Sequence, residues 1–96
     1  MKAVLRLHEK FHLNNRFLVE MAIFEIIDKK RYPDGVKYRL VCLDMISFVK
    51  VLMDNHYPKG HHVHMDNIEY KYDFISYEKL ITDFKILIKQ NLGAEV

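Results

Sequence analysis

Val36-Lys37-Tyr38-Arg39-Leu40-Val41-Cys42-Leu43-Asp44, followed by Ile46-Ser47-Phe48-Val49-Lys50-Val51-Leu52-Met53-Asp54, decides the fold class. In the first run Val36, Tyr38, Leu40 and Cys42 alternate with Lys37, Arg39, Val41 and Leu43. In the second, Ile46, Phe48, Lys50, Leu52 and Asp54 alternate with Ser47, Val49, Val51 and Met53. A period of two puts successive side chains on opposite faces of a strand. Two such runs in succession read most simply as an antiparallel hairpin, with Asp44 ending the first strand.

Upstream, Pro33-Asp34-Gly35 has the chemistry of a tight reversal, because Pro sets φ and Gly accepts a positive one. Before it, Phe17 to Ile27 is apolar on both faces except at Glu20 and Glu25. Its β-branched and aromatic content predicts a central strand. The helical spacing of Phe17, Met21 and Phe24 is the competing reading. Asn14-Asn15 is a turn signal. Ahead of it Ala3, Leu5, Leu7, Phe11 and Leu13 take the odd positions, and Lys2, Arg6, His8, Lys10 and His12 the even ones. This is a half-buried strand with Val4 and Glu9 out of place. Its wet face is either an ordinary solvated charged surface or one that faces anions such as RNA.

Downstream, Asn55 to Gly60 is a loop and His61 to Met65 a short extended piece. Ile68, Tyr70 and Tyr72 alternate with Glu69, Lys71 and Asp73, so a further edge strand is expected to run to Phe74. The chain then changes period. Tyr77, Leu80, Ile81, Phe84, Leu87 and Ile88 form one helical stripe. Ser76 is suited to cap its start, Glu78 to complement the positive end of its dipole, and Gly93 to end it. Strands first and helix last predict an α+β fold: an antiparallel meander sheet of four to five strands with one C-terminal helix packed on one face. No strand–helix–strand alternation and no glycine-rich phosphate loop supports nucleotide binding.

Composition agrees with a single domain over residues 1–96. Half the residues are apolar and 12% are aromatic, enough for a core, and the net charge is only +2. Full protonation of the six His would raise that charge to about +8 below pH 6.5. The single Cys42, set among apolar neighbours, excludes an internal disulfide and reads as a buried small residue. The N-terminal residues lack a secretory h-region, and no apolar run reaches the length of a membrane span. A cytoplasmic protein with no membrane partner is expected. One helix facing a two-sided sheet leaves apolar surface over, so a homodimer is expected too.

The segment Asp54-Asn55-His56-Tyr57-Pro58-Lys59-Gly60-His61-His62-Val63-His64-Met65-Asp66 carries most of the candidate chemistry, with four His in nine residues. If it is extended, His62 and His64 share a face with Cα atoms about 6.6 Å apart, and His61 points the other way. The plain reading is a polar surface loop. A His pair can also move protons near neutral pH. On RNA, one imidazole takes the 2′-hydroxyl proton and the other protonates the leaving 5′-oxygen, while Lys59 or Arg39 stabilises the charge on phosphorus. That chemistry needs no metal and no cofactor. A metal held with help from His56, Asp54 or Asp66 is the weaker alternative, because no Cys joins the cluster and the spacing is not that of a zinc finger. The candidate catalytic residues are thus His62, His64 and Lys59. The candidate substrate contacts are Arg39, Tyr38, Asp54 and His61.

Taken in order, Lys37-Tyr38-Arg39-Leu40, Asp54-Asn55, Lys59-Gly60-x-His62-x-His64, Tyr72-x-Phe74 and Leu80-x-x-Asp83-Phe84 form a pattern. It resembles the TumE family, small toxin components of prokaryotic toxin–antitoxin pairs. The likeness spans roughly residues 36–88. The family pattern commonly reads Lys-Gly-Asp-His-x-His, and here His61 stands in place of the Asp, so any role of that Asp is not carried over. The resemblance implies a cognate antitoxin, usually a helix-turn-helix DNA-binding protein, that forms a tight neutralising complex. RNA as the target is an inference from the His pair and the basic strand face. A non-catalytic protein- or nucleic-acid-binding module is the alternative function.

Overall fold

The computed structural model describes residues 3–96. Six strands form one antiparallel sheet in the order of the chain: β1 Ala3–Leu13, β2 Phe17–Ile26, β3 Val36–Asp44, β4 Lys50–Asp54, β5 His62–Met65 and β6 Ile68–Lys71. Helix α1, Tyr77–Leu92, follows the sheet and lies over β3 and β4. The α+β meander with a C-terminal helix is therefore the fold. It has six strands rather than four to five, because Asp66 and Asn67 turn the chain tightly enough for two four-residue strands to pair. Asp66 takes a positive φ there, which Asp tolerates better than most residues.

The covered face carries Val19, Leu40, Cys42, Val51, Met53 and Val63, all fully buried. Leu80, Phe84 and Ile88 of α1 fill the space above them. The expected caps are in place. Ser76 Oγ accepts from the Lys79 amide at 3.1 Å, and Gly93 takes the left-handed conformation as its amide donates to the Lys89 carbonyl. The Cys42 thiol is pushed up to about 11 by burial, which leaves it protonated and inert.

Two local features depart from the alternation pattern. A β-bulge between Leu5 and Leu7 changes the phase of β1. Leu7 pairs with Ile23 on the covered side, whereas Leu5 pairs with Phe24 and is exposed. Lys2, expected on the wet face, lies outside the described residues. The second departure is the start of β4, at Lys50 rather than Ile46. The buried Asp44 carboxylate accepts from the amides of Ile46 and Ser47 and from Arg16 in a bidentate pair. These bonds hold residues 45–48 as a loop, with Phe48 at positive φ and Ile46 and Phe48 facing solvent. The Arg16 guanidinium keeps the Asp44 carboxyl well below the usual carboxylate range.

Asn55 closes the end of the sheet beside β5. Its side chain accepts from the Tyr38 amide at 2.9 Å and donates to the Val36 carbonyl at 2.7 Å. One buried amide thus continues the β3–β4 ladder past Asp54. Among the described residues no buried side-chain polar atom lacks a partner.

Candidate functional site

The register sets the site. On the open face of the sheet, Asp54 stands directly across from His62, and His64 directly across from Glu69. Because side chains alternate, His62 and His64 emerge on one side of β5 and Val63 on the other. The two imidazoles meet edge to face with centroids 4.7 Å apart. Their environments differ. The His62 side chain is only 7% exposed, and each ring nitrogen faces an acceptor: Nδ1 lies 2.8 Å from the Gly60 carbonyl, and Nε2 lies 3.1 Å from Asp54 Oδ1. The His64 side chain is 29% exposed, with Nδ1 3.6 Å from Glu69 Oε2. Lys59 pairs with the other Glu69 oxygen, and this pairing holds the Glu69 carboxyl below its ordinary range.

Arg39 belongs to the same face, since its partner across the β3–β4 ladder is Asp54. It is exposed, and its nearest acid is Glu20 at 3.9 Å. Beyond it lies a shallow groove of about 460 Å³ whose lining includes Lys10, Arg39, Val41, Leu43, Phe48 and Lys50.

Tyr38 and His61 are elsewhere. Tyr38 is 2% exposed and sits under the helix. His61 precedes β5 and turns to the covered side, as its opposite phase to His62 requires. Its Nδ1 lies 2.9 Å from the Tyr38 hydroxyl and its Nε2 2.7 Å from Asp34 Oδ2. A carboxylate only accepts, so Nε2 carries the hydrogen and Tyr38 donates to Nδ1. The His61 ring also stacks on Phe74 at 5.2 Å, nearly parallel. Burial raises the Tyr38 phenol far above its ordinary value. Of the seven sequence-derived residues, the structure brings His62, His64, Lys59, Asp54 and Arg39 to one face. It places Tyr38 and His61 in a separate hydrogen-bonded stack.

Glu69 was not among the sequence candidates. Its signal was nevertheless present: with a two-residue turn at Asp66-Asn67, His64 and Glu69 must be cross-strand partners. Asp34 and Asn55 were missed for a different reason. Their roles depend on contacts between segments about 20 or more residues apart, which local periodicity does not encode.

No family model matches the chain, and no curated protein and no solved structure matches it. The structure gives the motif residues several packing roles. The Tyr72 hydroxyl donates to Asp83 at 2.7 Å, Phe74 stacks on His61, and Phe84 is fully buried in the core. No helix among the described residues is long and apolar enough to cross a membrane.

Proposed function

We propose that this chain is the toxin component of a toxin–antitoxin pair and that it cleaves RNA on the open face of its sheet. The observation that carries the proposal is the convergence of two carboxylate-paired imidazoles, Lys59 and Arg39 on that face. His64 is the more exposed ring and lies beside the Glu69 carboxylate, so it takes the proton from the 2′-hydroxyl. The 2′-oxygen attacks phosphorus and the bond to the 5′-oxygen breaks. The leaving 5′-oxygen takes its proton from His62 Nε2, which turns from Asp54 to the substrate to give it. Lys59 and Arg39 offset the charge that builds on phosphorus. Tyr38 and His61 support the scaffold rather than touch substrate.

Its partners on this reading are RNA and a cognate antitoxin of the helix-turn-helix class. The chain works in the cytoplasm and pairs with a second copy. The test is bacterial growth after induction of wild type and of His64→Ala, at matched soluble levels, followed by RNA cleavage with purified protein. Arrest and cleavage by the wild type alone support the reading. Equal behaviour of the two removes it.

A second reading is a binding module without catalysis. It is favoured by the groove, where Lys10, Arg39 and Lys50 flank Val41, Leu43 and Phe48. It requires that replacing both His62 and His64 leaves function intact while charge reversal at Lys10, Arg39 and Lys50 abolishes it.

A further inference from the structure

The open face raises a problem of hydrogen-bond accounting. A neutral imidazole has one N–H, yet both nitrogens of the nearly buried His62 face acceptors. Something positive must stand between Nε2 and Asp54 Oδ1, either a second proton or a metal ion. The Gly60 carbonyl favours a particular tautomer: with hydrogen on Nδ1, the Nε2 lone pair points towards Asp54. A backbone carbonyl that fixes the remote nitrogen of an imidazole is the usual support for a metal-ligating His.

The spacing supports the same view. Bonds of about 2.0–2.1 Å in a tetrahedral site put ligand atoms about 3.3–3.4 Å apart. Asp54 Oδ1 and His62 Nε2 are 3.1 Å apart, and His64 Nδ1 and Glu69 Oε2 are 3.6 Å apart. Ligand atoms of His62, His64 and Glu69 all lie within 4.8 Å of one another. The remaining adjustment falls on the side chains of His64 and Glu69, both more exposed than His62 and free to rotate about χ angles. His64 and Glu69 are cross-strand partners on adjacent, hydrogen-bonded strands, and His62 lies two residues from His64 on the same face. Lys59 does not occupy the position, since it engages Oε1 of Glu69 and leaves Oε2 towards His64. Two imidazole nitrogens with one carboxylate oxygen suit zinc or a similar borderline divalent ion better than calcium or magnesium, which prefer all-oxygen sites.

We propose that His62, His64 and Glu69 together bind one zinc-class divalent ion, with Asp54 beside His62 at its edge. The ligands are a ring nitrogen from each of His62 and His64 and a carboxylate oxygen of Glu69, with the fourth position left to water. Such an ion takes the lone pairs that proton transfer requires, so the loaded protein is the silent form of the ribonuclease proposed above. That corollary rests on the RNA reading, whereas the binding itself does not.

The experiment is calorimetric titration of zinc chloride into the full untagged chain at micromolar concentration. It compares wild type with His64→Ala, Glu69→Gln and, as a control for surface imidazoles, His56→Ala. All four are first checked for folding by circular dichroism, because a buried His62 substitution would confuse binding with unfolding. The expected result is one ion per chain, binding at least tenfold weaker in His64→Ala and Glu69→Gln, and no change in His56→Ala. The melting temperature of wild type should rise by roughly 10 °C at a hundredfold excess over Kd. Absence of binding by folded wild type overturns the proposal. So does binding of equal strength in all four proteins, or binding of several ions per chain. Stoichiometric zinc with no RNA cleavage by the metal-free protein supports the ion site and removes only the RNA reading.

Discussion

His61 and His62 are neighbours in the chain, yet they serve opposite faces of the sheet. His61 is enclosed by Tyr38, Phe74 and Asp34, with a donor on one nitrogen and an acceptor on the other. A neutral ring satisfies that arrangement completely, so it acts as a latch. The latch joins the β2–β3 turn, strand β3 and the segment leading into α1. His62 has two acceptors instead, and its partner His64 is balanced against a carboxylate that Lys59 also claims. On the readings proposed above, that face takes an added proton, an ion or a substrate. The comparison teaches that histidine count alone says little, since the number of donors and acceptors around each ring separates a structural imidazole from a reactive one.

The largest expected effect tests the latch. Tyr38→Ala removes a buried ring from beneath the helix and leaves His61 Nδ1 without its donor. Loss of about 3–5 kcal/mol of stability is expected, read from chemical denaturation. Whatever protein remains folded should keep its zinc affinity, because Tyr38 touches none of the open-face groups. A stability loss under about 1 kcal/mol would mean that the stack is not holding the sheet to the helix.

His64→Ala should do the reverse. The side chain is partly exposed on an outer hairpin, so stability should change by no more than about 0.5 kcal/mol. On the ribonuclease reading, RNA cleavage by the metal-free protein should fall by about 10²–10⁴-fold, the usual contribution of a positioned acid or base. If stability falls as far as it does in Tyr38→Ala, the division between latch and site fails.

The pH axis sharpens the same contrast. Burial raises the Tyr38 phenol in the folded state, with Tyr72 and Asp54 adding charge repulsion. A raised folded value means that the folded protein holds this proton more tightly than the unfolded chain. The resulting stability is complete below about pH 10 and is lost as pH rises through the folded value. Denaturant midpoints measured from pH 8 to 11 should therefore decline in wild type and decline less steeply in Tyr38→Phe. Part of the slope should survive, because burial and Asp83 also raise Tyr72. Identical slopes would show that Tyr38 is already solvated.

How much of this was legible beforehand differs between the two regions. Strand β3, the caps of α1 and its buried stripe followed from period and cap chemistry, because neighbouring residues alone determine them. The loop at residues 45–48 did not. Ile46 and Phe48 continue the strand pattern, and only the capture of their turn by Asp44, itself held by Arg16 from another strand, breaks it. Leu5 was misplaced because a bulge is a property of pairing, not of composition. On the open face the His pair was evident and Glu69 was not, although one short turn determines it. On the covered face the latch was hidden, since Asp34 and Tyr38 reach His61 across 27 and 23 residues of chain.

The smallest effect probes the outer end of the latch. Asp34→Asn keeps the size of the side chain and, in the proper flip, an oxygen that can accept from His61 Nε2. What it removes is the charge on the acceptor. Charge-assisted hydrogen bonds are roughly twice as strong as neutral ones, but Asp34 is half exposed and solvent screens it. A loss of about 0.5–1 kcal/mol is therefore expected, seen as a fall of roughly 2–8 °C in melting temperature. Asp34→Ala should lose more than Asp34→Asn, because Nε2–H then has only solvent as a partner. The ordering of the pair matters more than either value. If Asp34→Asn and Asp34→Ala are equal, water already serves His61 as well as the carboxylate does, and the latch reduces to the stacked rings and the Tyr38 hydroxyl.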